Sequence, residues 1–286
     1  MLEYLLITLA VFLCLLGSLT DIKTREVPDW LNYAGIVIGI GIHAIGAVML
    51  WNGWLLAESL LGFGFAFGIG ALMYYTGQWG GGDSKVLMAV GALLGFRPAL
   101  DSLFVSFLFW AMITGALYGL LWSVVLMINN WSQYVTAFTQ VINTPCKRFV
   151  RKCMYAFLLT GIVSIPLVDD AVLQLLLLLV LFGIPLYALI FASMKAVEHA
   201  CMIKTVKPNT ITEGDWIAQD VIVDGNYITG PKELGITKEQ LALLQKLARK
   251  NKIKHVVIKV GIPFVPSFLL GLVAALLWGN PLVFLL

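Results

Sequence analysis

The feature that most constrains this chain is its succession of long apolar stretches, several of which approach the ~20 residues needed to cross a lipid bilayer as a helix. Hydrophobic residues make up 60% of the 286 positions and charged residues only 12%, with a mean hydropathy of +0.91. A soluble domain is about one-quarter charged, so this chain lacks the polar surface that a globule in water needs. The composition therefore predicts an all-α, polytopic membrane protein.

The apolar stretches predict about eight spans, with boundaries good to a few residues. Two of them, 85–97 and 155–167, are short for a full crossing and would tilt or begin in a water-accessible cavity. The full set of predicted spans is 3–20, 31–50, 54–76, 85–97, 102–128, 155–167, 171–193 and 263–286.

The distribution of Lys and Arg predicts the orientation. Positive residues concentrate at Lys23 and Arg25, at 147–152 and after the seventh span. One crossing per span places these regions on the same side, which the positive-inside rule makes cytoplasmic. Arg97 is the exception, on the opposite side.

Residues 200–260 differ in character, because acidic, basic and polar residues interleave there. The alternation over Glu213–Ile228 predicts short strands, with Asp224-Gly225 as a hairpin turn. Thr237–Gln240 has the pattern of a capping box that opens a helix through about Asn251, and Ile253–Val260 returns to strand character. We therefore expect a small α+β module near the C-terminus, on the cytoplasmic side and too small to hold much core alone.

Several predicted spans carry glycines four residues apart, a spacing that lets helices approach closely in lipid. This feature predicts packing and indicates nothing about chemistry. The pairs are Gly35/Gly39, Gly64/Gly68, Gly91/Gly95 and Gly115/Gly119.

Composition also argues against two classes of function. The net charge of +3 is small and its Lys and Arg are clustered, so a nucleic-acid partner is not expected. None of the four cysteines forms a C-x-x-C pair, so a zinc site of that type is not expected either.

Two carboxylates at the ends of predicted spans require explanation, because ionisable groups at a membrane are costly and indicate function. Asp21 directly follows the first span, and Asp83 directly precedes the fourth, after Gly80-Gly81-Gly82. Two spans separate them, so both fall on the same membrane face. A simpler alternative treats each as an interfacial helix end, since Asp is favourable at a helix N-terminus.

Two carboxylates that share a water form the catalytic group of an aspartic peptidase. Like charges at that distance cannot both ionise, so they share one proton and titrate as a unit. The ionised partner takes a proton from water, and the protonated partner polarises the scissile carbonyl. The preceding glycines would permit backbone conformations and close approaches that a side chain blocks, leaving room for a substrate strand.

These residues resemble the archaeal prepilin and preflagellin peptidases, membrane aspartic proteases with a G-x-G-D motif. That motif stands here as Gly80-Gly81-Gly82-Asp83, followed by Ser84-Lys85. The first motif of the family, an Asp followed by a basic stretch and a hydrophobic-Pro-polar triplet, stands as Asp21 and Val27-Pro28-Asp29. The segment Gly261–Pro266 is similar to the one that leads archaeal members into their last span.

The resemblance implies removal of short, basic leader peptides from prepilin or archaellin precursors with a class III signal peptide, at the cytoplasmic membrane face. It implies no metal or organic cofactor, and its partners would be the precursor and membrane lipid. The implied catalytic pair is Asp21 and Asp83, and the residues implied to support the motifs or contact substrate are Gly80, Gly82, Lys85, Pro28 and Asp29. For Lys85 and Asp29, a solvated interfacial charge is the alternative.

The resemblance also divides the chain. Residues 1–128 would form the catalytic membrane core, 129–199 a basic cytoplasmic loop and an additional membrane hairpin, 200–260 the cytoplasmic module and 261–286 the C-terminal span. The segment 129–199 is longer than in a minimal archaeal enzyme, and the cysteine-rich module of methylating bacterial relatives is absent from this sequence. Subfamily, substrate and oligomeric state stay open.

Two other functions are compatible with the same features. A transporter or scaffold would place ionisable groups near the bilayer midplane, often with inverted repeats, and no repeat is visible in this sequence. A presenilin-like protease would hold its aspartates deeper within the spans, whereas Asp21 and Asp83 each adjoin a polar loop.

Overall fold

A computed structural model describes residues 2–284, apart from the side chains at 145–147, 149, 150, 164, 283 and 284. The end of the predicted last span, 285–286, lies outside the described residues. Ten α-helices are present in the described part of the chain: α1 (Leu2–Thr24), α2 (Asp29–Met49), α3 (Trp54–Tyr75), α4 (Gly81–Leu94), α5 (Leu103–Asn129), α6 (Trp131–Ile142), α7 (Pro145–Ser164), α8 (Ala171–Ala200), α9 (Lys238–Arg249) and α10 (Val265–Trp278).

Five of these helices are long and apolar enough to cross a membrane: α1, α2, α3, α5 and α8. Helices α4 and α10 have 14 residues each, about 21 Å at 1.5 Å per residue, which is short of the ~30 Å hydrocarbon core. The prediction of a helical membrane protein with a short fourth helix is confirmed.

The basic segment 147–152 is helical, whereas the sequence predicted a loop that ends near residue 155. Helix α7 begins at Pro145, ten residues before the predicted span. Proline at the first helical position has a suitable fixed φ and needs no hydrogen-bond partner for its nitrogen, and the Lys and Arg residues that follow are good helix formers. Residues 131–142 form a separate helix, α6, that the sequence did not predict.

Compactness divides the chain into two units, residues 1–122 with 205–286, and residues 123–204. In the second unit, Tyr134 of α6 packs with Ala196 and Val197 of α8, and the Tyr134 hydroxyl lies 3.2 Å from Ser193 Oγ. Most of the remaining apolar surface of α8 is exposed, which suits a lipid-facing helix.

Helix α4 lies at the centre of the first unit, where its side chains from Val86 to Leu93 are mostly buried. Helix α3 runs antiparallel to it, since Gly62 contacts Gly91 and Gly70 contacts Ser84. The Ser84 hydroxyl also donates to the Gly70 carbonyl at 2.9 Å. The absence of side chains at these glycines brings the two helix backbones into direct contact, which fixes the position of α4.

The packing face of α3 differs from the predicted one. Gly62, Ala66 and Gly70 are buried against α4, whereas Gly64 and Gly68 are exposed and a Cβ on either would meet no atom within 4 Å. The prediction of close packing at Gly64 and Gly68 is therefore wrong. The faces are two residues apart, about 200° around the helix, so spacing alone does not choose between them.

Residues 203–260 form the predicted α+β module, with its own core of buried Ile, Leu and Val side chains. The turn at Asp224-Gly225 joins β3 and β4 with positive φ at both residues, and the capping box at Thr237 and Gln240 opens α9. Both features confirm the sequence predictions. The strands are β1 (Ile203–Val206), β2 (Trp216–Ile217), β3 (Val221–Val223), β4 (Asn226–Thr229) and β5 (Val256–Lys259), with sheet orders β1-β5-β2 and β3-β4.

Candidate active site

Asp21 lies in the last turn of α1, and its side chain is buried. One carboxylate oxygen, Oδ2, accepts the backbone N–H of Val265 at 2.9 Å. The helix ends just beyond, where Arg25 takes a positive φ and its guanidinium donates to the Gly261 carbonyl. The loop that leads into α10 is therefore attached to the end of α1 at two points, and it fixes the Asp21 carboxylate.

Asp83 lies in the first turn of α4 and is half-buried. Its Oδ2 accepts the backbone N–H of Gly80 at 3.0 Å, so the side chain caps the helix that carries it. The hydroxyl of the next residue, Ser84, is bonded to α3. The local sequence thus determines the direction of the carboxylate, and α3 fixes the helix behind it.

The structure brings Asp21 and Asp83 together. Helices α1 and α4 are in contact one turn below, where a Cβ on Gly17 would lie 3.9 Å from Val86 Cγ2. The two carboxyl groups interact electrostatically. A backbone N–H anchors each of them, as described above, and two neighbouring carboxyls can hold a proton and a water between them.

The three glycines before Asp83 do not have the backbone conformation that the sequence suggested. None of them has a positive φ. A Cβ on Gly80 would lie 3.4 Å from Asp83 Oδ2, and one on Gly82 would lie 3.5 Å from the Val27 nitrogen, both near ordinary van der Waals contact. The conformational explanation is therefore wrong for these three residues. Glycine at Gly80 and Gly82 instead lets the start of α4 pack closely against Asp83 and Val27.

The other residues of the two motifs contact one another. Lys85 forms a 2.6 Å ion pair with Asp29 in the first turn of α2, and its ammonium lies 5.6 Å from the centre of the Tyr33 ring. Pro28 immediately precedes α2, with φ −57° and ψ 132°. These contacts join the start of α2 to the start of α4 beside Asp83.

Sequence reasoning missed an aromatic group beside Asp21. The Arg25 guanidinium lies 5.3 Å from the centre of the Trp122 ring, and Trp122 stacks on Tyr118, which itself interacts electrostatically with Asp21. Both aromatic residues belong to α5, about 100 positions from Asp21. Their alternation with other apolar residues in a long span gave no signal of a site.

The α+β module lies next to the same site. The Thr212 hydroxyl donates to Glu26, and Trp216 lies 3.9 Å from where a Cβ on Gly77 would be, in the loop before the three glycines. These contacts place the module at the end of the bundle that carries both aspartates.

A cavity of about 450 Å³ lies at the opposite end of the bundle. Its lining includes Glu58, which is buried and bonded to Arg97 at 2.9 Å, and His43, whose Nδ1 lies 2.9 Å from the Gly39 carbonyl oxygen. The cavity lies at the start of α1 and the end of α4, whereas Asp21 lies at the end of α1 and Asp83 at the start of α4. The cavity therefore does not belong to the candidate active site.

Comparison with known proteins supports the resemblance seen in the sequence. Residues 7–120 match the Type IV leader peptidase family, and both Asp21 and Asp83 lie within the matched segment. The resemblance is therefore confirmed over this part of the chain. No solved structure matches the chain.

Three archaeal relatives match over part of their length. A prepilin peptidase, EppA, of Methanothermobacter thermautotrophicus is 30% identical over 100 residues, which is 35% of this chain and 26% of that protein. Preflagellin peptidases of Methanococcus maripaludis and Methanococcus voltae are 31% identical over 94 residues and 36% identical over 80 residues. These matches cover 33% and 28% of this chain and 39% and 34% of the two relatives. The chain thus spans about a quarter to two-fifths of the relatives' length.

Proposed function

We propose that this chain is a membrane aspartic endopeptidase that removes the leader peptide of prepilin-like or archaellin-like precursors at the cytoplasmic membrane face, with Asp21 and Asp83 as its catalytic pair. The observation that carries the proposal is that these two residues, 62 positions apart in the chain, lie at the same end of two helices in contact, α1 and α4. The match of this segment to a leader peptidase family supports it.

The reaction uses a water between the two carboxyls, one ionised and one protonated. The ionised group takes a proton from the water as its oxygen attacks the scissile carbonyl carbon, and the protonated group donates to the carbonyl oxygen. The tetrahedral intermediate collapses when the C–N bond breaks: the leaving amine takes one proton from the pair, and a hydroxyl of the intermediate returns a proton to the pair as the carbonyl re-forms. No net electron transfer occurs, and the dyad returns to its singly protonated state.

The segment from Gly80 to Gly82 leads into the turn of α4 that carries Asp83. A substrate in an extended conformation that ran beside this segment would place its carbonyls within reach of the pair. The module, which contacts Glu26 and Gly77, is in position to contact the leader of the same substrate.

The position of the pair favours cleavage at the membrane surface over cleavage within the bilayer. Asp21 lies in the last turn of its helix and Asp83 in the first turn of its own. Lys23 and Arg25 follow Asp21 directly, and the positive-inside rule makes that face cytoplasmic. A precursor whose hydrophobic segment stays in the membrane would present its leader there.

Co-expression with prepilin-like and archaellin-like precursors from the same genome tests the proposal, with cleavage followed as a size shift on a gel. Asp21→Asn and Asp83→Asn keep the side-chain shape and remove the proton chemistry, so each should lower cleavage by about 100-fold or more. Asp101→Asn, the same change on the exposed loop at the opposite end, should cleave like wild type. Cleavage by both active-site variants at the wild-type rate would falsify the proposal.

A further inference from the structure

Asn32 on α2 is a buried polar residue without an evident partner. Its side chain has no exposure to solvent, and among the described residues neither its amide nitrogen nor its amide oxygen has a hydrogen-bond partner. A buried amide normally has its hydrogen bonds satisfied, so each exception requires an explanation. The location of Asn32 provides one.

The contacts between α2 and α4 show which residues of α4 lie opposite Asn32. Gly35 contacts Ala89 and Gly39 contacts Ala92 and Leu93, so α2 runs parallel to α4. Asn32 lies seven residues before Gly39, two turns back on nearly the same face. It therefore faces α4 at the level of residues 85–86, about one turn from Asp83.

The contacts between α2 and α1 show independently which residues of α1 lie opposite Asn32. Gly46 contacts Leu2 and Gly35 contacts Leu13, so these helices are antiparallel and Asn32 faces residues 16–17 of α1. Asp21 lies little more than one turn further along α1, on the same side as Asp83. A helical side chain leans toward its own N-terminus, and for α2 that direction is toward the two aspartates.

We propose that Asn32 is a positioning residue for the catalytic pair, its amide hydrogen-bonded to the Asp21 and Asp83 carboxyls through a buried water. The remaining gap of about one helical turn is too long for a direct hydrogen bond and is spanned by one water. An amide and two carboxyls supply the two to four polar partners that a buried water needs. This inference rests on the proposed function.

The role follows from the chemistry of the amide. Asn presents both a donor and an acceptor and carries no charge, so it orients a water without adding to the charge of the pair. A water bonded to the Asn32 amide donates a hydrogen bond to whichever carboxyl is ionised. It thus favours the singly ionised state of the pair.

The test compares Asn32→Leu and Asn32→Ser with wild type in the purified full chain, using leader cleavage. Leu has a similar size and lacks polar atoms, so kcat should fall by about 10- to 100-fold while KM stays within about 2-fold. The acidic limb of the kcat–pH profile should move to higher pH, since a donor to the ionised pair is lost. Ser keeps a hydroxyl and leaves room for water, so it should recover part of the loss.

Thermal unfolding separates this role from a purely structural one. Asn32 makes no direct hydrogen bond to another described residue, so Asn32→Leu should leave the unfolding temperature unchanged or raise it. The matched control is Ser59→Ala, another fully buried polar residue, whose hydroxyl donates to the Ala92 carbonyl of α4 at 2.7 Å. That variant should unfold at lower temperature with an unchanged pH profile.

The outcomes distinguish the role of Asn32 from the proposed function. If wild type cleaves, Asp21→Asn does not, and Asn32→Leu retains the wild-type kcat and pH profile, the positioning role is wrong and the proposed function stands. If Asp21→Asn also cleaves, the proposed function fails and the role of Asn32 fails with it. A fall in both kcat and unfolding temperature for Asn32→Leu, with no shift of the pH profile, would assign Asn32 to packing and overturn the inference.

Discussion

The contact between Gly62 and Gly91 allows a quantitative prediction of how α3 positions the proposed active site. A Cβ on Gly62 would lie 2.2 Å from the Gly91 carbonyl oxygen, whereas real Cβ atoms essentially never approach closer than 3.0 Å. The obstacle is backbone, which cannot rotate aside. A Gly62→Ala change therefore forces α3 and α4 apart by about 0.8 Å.

This separation should affect both stability and activity. Overpacking of this kind destabilises by about 1–3 kcal/mol, so the unfolding temperature should fall. Asp83 lies on the same helix, about 12 Å from Gly91, and a displacement near 1 Å at a reacting group lowers rates by up to about 100-fold. We expect leader cleavage by Gly62→Ala to fall by about 10- to 100-fold.

Gly64→Ala is the matched control on the same helix. Gly64 is exposed and a Cβ there meets no atom within 4 Å, while Ala is favoured over Gly in a helix by about 1 kcal/mol. This variant should be as active as wild type and at least as stable. Thermal unfolding and initial cleavage rates would be measured on the same preparations. Equal stability of the two variants, or equal damage by both, would refute the packing argument.

Two further predictions concern contacts away from the proposed catalytic pair. Arg97→Met leaves the buried Glu58 carboxylate unpaired, so it should lower the free energy of unfolding by about 1–2 kcal/mol. In thermal unfolding, the double variant Arg97→Met with Glu58→Gln should recover part of this loss. Thr212→Val removes the hydroxyl that bonds both Glu26 and Asp215. Limited proteolysis should then cut residues 205–260 faster, while the unfolding temperature of the bundle stays the same. Unchanged protection from proteolysis would show that this contact does not hold the module.

The helices and the module could be predicted from sequence because local features determine them. Stretches of apolar residues give the membrane helices, and turn and capping residues such as Asp224 and Thr237 give the elements of the module. The positions of Asp21 and Asp83 at helix ends follow from the same boundaries, together with an even number of predicted crossings between them.

The remaining parts of the site depend on contacts distant in sequence. The N–H that bonds Asp21 belongs to Val265, 244 positions away, and Trp122 reaches Arg25 from another helix. Spacing could not choose between the two glycine faces of α3 either, because both satisfy a four-residue repeat. Only the shape of the neighbouring helix selects Gly62 and Gly70.

The polar groups buried in the first unit divide by location in a way that supports a functional role for Asn32. Ser18, Ser59 and Ser84 each donate to a backbone carbonyl, Ser18 within its own helix and the other two between α3 and α4. The buried side-chain groups without a partner among the described residues are the amide of Asn32 and the indole N–H of Trp122. Leaving such a group unpaired costs about 1–3 kcal/mol, and a sequence free to choose would place an apolar residue there. Asn32 lies about one helical turn from the proposed catalytic pair, and Trp122 contacts Arg25 near Asp21, so a local conflict with stability is expected at both if they serve the reaction.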